Sequence, residues 1–337
     1  MNHRVVPYRR LVALVAAGAL VWLTSVPGPV HAAFPRHSGA GGGRPRVSAP
    51  GAGAAASPAT TDPSAQWLQV VPPRAGTVPD RNTQPLASSL RVLQMNLCNS
   101  GIARCYTNGR SISEAIALIR RLAGSGSAPD LVAVNEVCLR DVQNLLPVLA
   151  RVWPGDFTWS LFAPARDRAT GPAPQPFKCR NQDPYGSGIL GHVPPASFHG
   201  ITPLVGRYAA QSGDREERAY GCAYLTGNLY ACVTHLSAED HRVAFRQCQE
   251  LLRKVLPGFE RREGNQLTTV VSGDFNLLDQ PGTYGVGNCI PRGSYRTGDN
   301  SLQHVVVAGG TTGAHSIFPM QFTDHPALLA TVALSRA

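Results

Sequence analysis

Charge is scarce in this chain. Asp, Glu, Lys and Arg together make up 15% of the 337 residues, and lysine is nearly missing, with Lys178 and Lys254 the only two. That density is far below what a dedicated nucleic-acid wrapper carries, and codon bias explains the arginine preference as readily as phosphate recognition does. Past residue 33 no stretch approaches the ~20 consecutive apolar residues that cross a bilayer as a helix, so no later transmembrane span or stable membrane insertion is expected. No Cys-x-x-Cys spacing occurs, which removes the usual signature of a thiolate metal site. No internal repeat points to a solenoid. Apolar residues nonetheless reach 43%, enough to fill a sizeable core and incompatible with a wholly disordered protein.

The two ends of the chain differ in kind. Arg4, Arg9 and Arg10 precede an apolar run from Leu11 to Val26, followed by Pro27-Gly28-Pro29 and the small-residue sequence Val30-His31-Ala32-Ala33. Residues 1–33 read as a secretory signal peptide, with an uncleaved anchor as the lesser alternative. Residues 34–85 are dominated by Gly, Ala, Pro, Ser and Thr and read as a disordered linker. Within it only Trp67-Leu68 and Val70-Val71 are apolar enough to dock on something. The folded part is expected over 86–337. Of the formal net charge of +10, the leader and linker hold more than half, leaving about +4 there, compatible with a phosphate-rich substrate.

Eight cysteines, all beyond Leu86, suit an oxidising compartment and an extracellular, secreted protein with four disulfides. Cys222 and Cys232 lie symmetrically about Gly227 and are expected to face each other across a hairpin. Cys98 and Cys105 can close a local loop, leaving Cys138, Cys179, Cys248 and Cys289 for longer bridges.

Residues 90–97 alternate as a strand, 113–122 carry Ile116, Ile119 and Leu122 at helical spacing, and 130–137 are β-branched: strand, helix, strand. Ser111 or Ser113 can cap that helix and Gly124 can end it. Further strands are expected at 188–191, 219–225, 229–234, 267–272, 302–307 and 327–332, with a long helix over 238–256 capped by Ser237. The mixture predicts an α/β sandwich, sheets packed together with helices outside.

Polar residues gather where apolar strands end: Asn96, Glu136, His235, Asp274, Asn276, Asp324 and His325. Glu136 ends Leu-Val-Ala-Val-Asn, and its hard oxygens suit Mg²⁺ or Mn²⁺; a surface Glu at a strand terminus fits that position equally. Asn96 at a strand end often only caps a turn, and His235 fits a half-buried structural histidine as well as a catalytic one. In Gly273-Asp274-Phe275-Asn276 the glycine permits close approach and the two polar side chains lie two apart, or else form an Asx turn. Carboxylates and amides that bind a cation, beside imidazoles that move protons, are the inventory for hydrolysing a phosphate ester.

The order of Gln94-Met95-Asn96, Asn135-Glu136-Val137, Gly186-Ser187-Gly188-Ile189-Leu190, Thr234-His235-Leu236, Gly273-Asp274-Phe275-Asn276 and Thr323-Asp324-His325-Pro326 resembles the endonuclease/exonuclease/phosphatase superfamily. That family includes pancreatic deoxyribonuclease, abasic-site endonucleases and neutral sphingomyelinases. The resemblance spans residues 89–334 and implies a deoxyribonuclease-like four-layer sandwich, two packed mixed β-sheets flanked by helices. It implies Glu136 as the main Mg²⁺ ligand, assisted by Asn96 and Asp324. Asp274 and Asn276 then position water and phosphate, and His235 and His325 donate to the phosphate. Tyr185 and Arg180 are weaker candidates for substrate contact. Where the family often has an Asp that orients the last histidine, this chain has Gln303, whose amide is expected to hold the ring by one hydrogen bond.

The fold fixes a reaction type and not a substrate. The reading is a monomeric, secreted, Mg²⁺-dependent nuclease or related phosphodiesterase acting on nucleic acid, with Arg166, Arg168, Lys178 and Arg180 either meeting a phosphate backbone or forming an ordinary solvated loop. A sphingomyelinase-like enzyme acting on phospholipid would need an aromatic membrane-docking loop tip, which the sequence does not offer. A catalytically silent binding module would have little reason to carry all the ionisable landmarks.

Overall fold

The computed structural model describes residues 63–74, 86–171 and 175–335; the expected signal peptide and most of the linker lie outside them. In chain order the elements are β1 (Leu68–Val71), β2 (Ser89–Asn96), α1 (Arg110–Gly124), β3 (Leu131–Cys138), α2 (Leu139–Val152), β4 (Phe157–Pro164), the two-residue β5 (Arg166–Asp167), β6 (Tyr185–Val193), β7 (Ile201–Arg207), the two-residue β8 (Glu216–Glu217), β9 (Ala219–Leu225) and β10 (Leu229–His235). There follow α3 (His241–Glu250), a π turn (Leu251–Val255), α4 (Leu256–Glu263), β11 (Thr268–Asp274), α5 (Val286–Cys289), β12 (Tyr295–Gly298), β13 (Gln303–Ala308), β14 (Gly310–Phe318) and β15 (Ala327–Leu334).

The strands form two mixed sheets, ordered β1-β4-β6-β3-β2-β15-β14 and β12-β13-β11-β10-β9-β7. Period-two alternation dictates how each is covered. In β2, Leu90 and Val92 face the second sheet, while Leu93 and Met95 face helices. The inter-sheet core joins Ala133, Trp159, Leu161 and Ile189 of the first sheet to Ala231, Val233, Val270 and Val305 of the second. On the outer face of the first sheet, Leu118, Ile119 and Leu122 of α1 and Val142, Leu145 and Leu149 of α2 pack on Leu93, Met95 and Val134. Ala244, Cys248, Leu251 and Phe259 cover the second. The result is the expected four-layer α/β sandwich. Gly191 shows how tight the packing is, because a Cβ there would lie 2.7 Å from Leu131 and 2.8 Å from the Trp159 indole.

Within the span read as linker, the Trp67-Leu68 and Val70-Val71 piece docks as the sequence allowed: a short 3₁₀ turn leads into β1, which pairs antiparallel with β4 from Leu68↔Leu161 to Val71↔Thr158. The structure corrects several local expectations. Helix α1 is preceded by Gly109 at φ +79°, with no Ser111 or Ser113 cap, and α3 is capped by Asp240, not Ser237. Helix α2 was hidden by Pro147, although Val142, Leu145, Leu146 and Leu149 carry helical spacing around it. The unforeseen strands β1, β7, β12 and β14 stand at sheet edges, where one-sided burial blurs the alternation; β4, also unforeseen, lies between β1 and β6 and is buried along nearly its whole length, with no solvent-exposed face to mark it.

All four disulfides form, pairing Cys98–Cys105, Cys138–Cys179, Cys222–Cys232 and Cys248–Cys289. Cys222 and Cys232 are direct partners across the β9–β10 hairpin. Among the described residues no helix is long and apolar enough to cross a membrane.

Candidate active site

The inner faces of the central strands are apolar at one end and turn polar at the other. β2 reads Leu90, Val92, Gln94, Asn96; β3 reads Leu131, Ala133, Asn135; β10 reads Leu229, Ala231, Val233, His235; β11 reads Val270, Ser272, Asp274. β2 and β3 are parallel, as are β10 and β11, so these carboxyl ends open on one rim.

Just below that rim lies a buried polar layer. Gln94 Nε2 donates to Asn135 Oδ1 at 2.7 Å and to Gln303 Oε1 at 3.2 Å, and Ser272 Oγ donates to Gln94 Oε1 at 3.0 Å. Asn135 Nδ2 donates to Ser187 Oγ and to the Thr234 carbonyl, both at 2.9 Å, and Asn135 Oδ1 accepts the Asp274 amide at 2.8 Å. The two sheets are joined by side-chain amides at the level of the site.

Glu136 reaches the rim through a β-bulge. Val134 faces Gly188 but Val137 faces Gly186, so Asn135 and Glu136 together oppose Ser187. Glu136 sits at φ +55°, a conformation costing about 1–3 kcal/mol for a residue with a Cβ. The bulge turns two successive side chains the same way: Asn135 meets Thr234, and Glu136 Oε1 lies 3.9 Å from His235 Nε2. Asn96 Nδ2 bridges the carboxylates, donating to Glu136 Oε1 at 2.9 Å and to Asp274 Oδ2 at 3.0 Å. Burial raises the Glu136 carboxyl above its ordinary value, and the charges of Asp274 and Asp324 add to this against Asn96 and Arg218.

Asp274 and Asn276 form the Asx turn as well as the polar pair: Asp274 Oδ1 accepts the Asn276 amide at 2.9 Å. Asn276, at φ +50°, donates its Nδ2 to the Leu236 carbonyl at 2.9 Å, which ties the exits of β10 and β11 together. A Cβ at Gly273 would collide with the Thr234 carbonyl, so only glycine lets β11 approach β10 there. His325 Nε2 lies 3.6 Å from Asp274 Oδ2 and 3.7 Å from Asp324 Oδ1. The loop that carries it is anchored by Thr323, whose hydroxyl donates to the Asn96 carbonyl at 2.8 Å.

His235 is held by a residue the sequence reading passed over. Arg218 Nη1 donates to His235 Nδ1 at 2.6 Å, and its Nε faces Glu216 Oε1 at 3.3 Å. A guanidinium has no acceptor, so Nδ1 must accept and the ring proton sits on Nε2. Burial, the Arg218 charge and His325 together hold the imidazole well below its ordinary pKa, leaving a neutral ring with its donor aimed at the rim. Tyr185, Glu216, Arg218 and His235 line one small pocket, and burial beside Glu216 and Glu136 pushes the Tyr185 hydroxyl well up. The available signal was Glu216-x-Arg218 directly ahead of the apolar strand 219–225.

Two expectations need correction. Gln303 does not touch the His325 ring; its Nε2 donates to the Pro326 carbonyl and to Asp299 Oδ2, fixing the backbone just after the histidine. Arg180 is not among the carboxylates either. Its stem packs on Gly101 and its amide donates to the Ser100 carbonyl, docking two loops.

The donor set fits a divalent cation. Among the described residues only Asn96 donates to the Glu136 carboxylate, and the desolvated Glu136 feels the charges of Asp274 and Asp324, a surplus of hard oxygen and negative charge, although the three carboxylates do not close to within 4.8 Å of one another as a set. The Cys98–Cys105 sulfurs lie within 4.8 Å of the Glu136 carboxylate, but as a disulfide they offer no thiolate.

No protein-family model matches the sequence, and the comparison with curated proteins found no match. Solved structures do match. An endonuclease/exonuclease/phosphatase protein from Beutenbergia cavernae is 16% identical, with 74% of this chain and 72% of that one covered and a TM-score of 0.50. A humanized TDP2 from D. rerio is 15% identical, covering 73% and 99%, TM-score 0.46. The human Nocturnin catalytic domain is 15% identical, covering 81% and 100%, TM-score 0.45. What is shared at such identity is the fold, and it is the endonuclease/exonuclease/phosphatase fold.

Proposed function

We propose that this protein is a divalent-cation-dependent hydrolase of phosphate esters, a nuclease-type phosphodiesterase that works outside the cell. One observation carries the reading: Glu136 and Asp274 share the Asn96 amide, with His235 and His325 presenting Nε2 at 3.9 and 3.6 Å from those same carboxylates. Glu136, with Asn96 and Asp324, would hold Mg²⁺ or Mn²⁺. Such an ion supplies positive charge to the phosphate oxygens as negative charge builds on them.

The remaining roles belong to the chain. Neutral His235 donates from Nε2 to a phosphate oxygen, since Arg218 occupies Nδ1. Asp274, fixed by Asn96 and by the Asn276 amide, orients the water that attacks phosphorus. His325, across from Asp274 Oδ2, donates to the phosphate. Tyr185 and Arg218 close the wall behind His235 and keep bulk water from it. Four disulfides support an extracellular site of action.

The test incubates purified protein with plasmid DNA, RNA, sphingomyelin and bis-p-nitrophenyl phosphate in Mg²⁺ or Mn²⁺, with and without chelator, beside Asp274→Ala. Nucleic-acid and nitrophenyl ester cleavage should vanish with chelator and fall at least a hundredfold in the variant. Sphingomyelin as the sole substrate would move the assignment to a lipid phosphodiesterase. Absence of any cleavage would leave a silent module.

A further inference from the structure

The catalytic pocket takes its wall from the end of β4, where Ala163 and Ala165 face Tyr185, Arg218 and His235. Alternation turns Pro164 and Arg166 the other way, into a separate groove of about 460 Å³. The groove's other walls include Trp67 and Gln66, from the segment leading into β1, and Gln175 and Lys178 from the loop between β5 and β6. The same alternation operates in that loop: Phe177 and the Cys138–Cys179 bridge pack inward with Ala165 and Tyr185, while Lys178 points outward and is exposed. The loop is held in place by bridges Arg166↔Pro176 and Lys178↔Pro184 and by the disulfide.

The lining has two cations and no carboxylate. Several neighbouring arginines meet carboxylates within the fold: Arg168 and Arg207 share Glu217 at 3.6 and 3.1 Å, Arg215 pairs with Asp167, and Arg218 with Glu216 at 3.3 Å. Among the described residues Arg166 and Lys178 have no carboxylate within ion-pairing distance. Two uncompensated cations beside amide and indole groups suit an anionic chain, and the groove is separated from the catalytic pocket only by residues 163–166, which line one or the other in alternation.

We infer that this groove is an exosite for the phosphodiester backbone of a polynucleotide substrate, engaging phosphates beyond the one being cleaved through Arg166 and Lys178. The inference rests on the phosphodiesterase reading of the catalytic site and names its substrate as a polymer. A small ester occupies the catalytic pocket alone, whereas a longer chain gains from both.

The experiment compares wild type with Arg166→Ala/Lys178→Ala, both groups being exposed, on a single-stranded 20-mer and on bis-p-nitrophenyl phosphate across a salt series. The double variant should lose about tenfold or more in kcat/KM on the 20-mer at low salt. Its log–log salt dependence should be shallower by roughly 1.4, two contacts at ~0.7 each for a single strand. The nitrophenyl ester should be cleaved within about twofold of wild type. Unchanged 20-mer cleavage, or an equal loss on both substrates, would overturn the exosite.

If wild type cleaves neither substrate, the catalytic reading fails by itself. The groove is then judged by fluorescence anisotropy of the labelled 20-mer in chelator: weaker binding by the double variant supports it, and equal binding defeats it. Loss of binding to phosphatidylglycerol vesicles with oligonucleotide binding intact would also defeat it, by assigning the groove to a lipid surface.

Discussion

Arg218 offers the sharpest test of how the site works. Its guanidinium is buried, donates to His235 Nδ1 at 2.6 Å and pairs with Glu216 at 3.3 Å. Arg218→Leu removes one charge-assisted hydrogen bond, worth about 1.5–3 kcal/mol, and frees His235 to take either tautomer. If that bond matters fully in the transition state, kcat/KM on bis-p-nitrophenyl phosphate falls about 10- to 150-fold at pH 7.5. The pH profile carries the more specific signature. After burial, the Arg218 charge is the next cause that holds the His235 pKa down. Without it the imidazole protonates at higher pH, so the acid limb of the rate profile moves toward neutrality. Arg218→Lys keeps the charge but not the fork geometry and should fall between the two, with less displacement of the limb. Long-range ¹H–¹⁵N spectra should show the His235 proton on Nε2 in wild type and a tautomer mixture in the Leu variant. A Leu variant whose profile has the wild-type shape at any scale, or a wild-type ring protonated on Nδ1, would refute the reasoning.

Two further outcomes follow from groups outside the catalytic rim. His192 lies between Asp156 (Nδ1 to Oδ2, 2.7 Å) and Asp130 (Nε2 to Oδ1, 3.0 Å), stacked on Trp153. Burial pulls its pKa down, but the hydrogen bonds and charges of the two carboxylates outweigh burial and raise it. Its stabilisation is therefore complete below the ordinary value of ~6.5 and is lost as pH rises through the folded value, at up to ~1.4 kcal/mol per pH unit. His192→Ala should unfold about 3–5 kcal/mol more easily at pH 6 and lack that slope; thermal melts between pH 5 and 9 check it, and parallel curves for the two proteins would count against it. Gln303→Asp should lower both melting temperature and turnover, because Asp lacks the donor that Gln303 gives to Pro326 and adds a second carboxylate beside buried Asp299. A faster, equally stable Asp variant would show that a ring-orienting carboxylate is what position 303 needs.

Much of the site was legible because its strands obey a simple rule. Each inner face runs apolar and then polar, as in Leu90-x-Val92-x-Gln94-x-Asn96 and Val270-x-Ser272-x-Asp274, so the sequence itself marks the end of the sheet that carries chemistry. What stayed hidden required contacts between distant segments. Alternation alone would send Asn135 and Glu136 to opposite faces, and only the bulge against Ser187 brings both to β10. Arg218 stands 17 positions from the ring it holds, in a run of ion-paired residues that looks like a solvated loop. Gln303 was placed in the right neighbourhood, but which atom its amide would meet depends on Asp299 and Pro326, and no local pattern encodes that. Helix α2 was masked by a proline the helix tolerates, and edge strands such as β7 and β14 lack two-sided burial.

The buried amide layer explains why these separate strand ends can act as one site. Asn96 and Glu136 belong to the first sheet, His235 and Asp274 to the second, and packed aliphatic side chains alone fix the spacing of two sheets without fixing the slide of one over the other. Directional bonds remove that freedom: Asn135 accepts from the Asp274 amide and donates to the Thr234 carbonyl, while Gln94 links Ser272 and Gln303. Each such bond adds only about 0.5–1.5 kcal/mol net, yet an orphaned partner costs about 1–3 kcal/mol, so the registry with every donor placed is favoured over its neighbours. Asn96 can then touch Glu136 and Asp274 at once, a geometry that a slide of one ångström between the sheets would break. The polar layer is thus part of what would let the proposed site act as a unit.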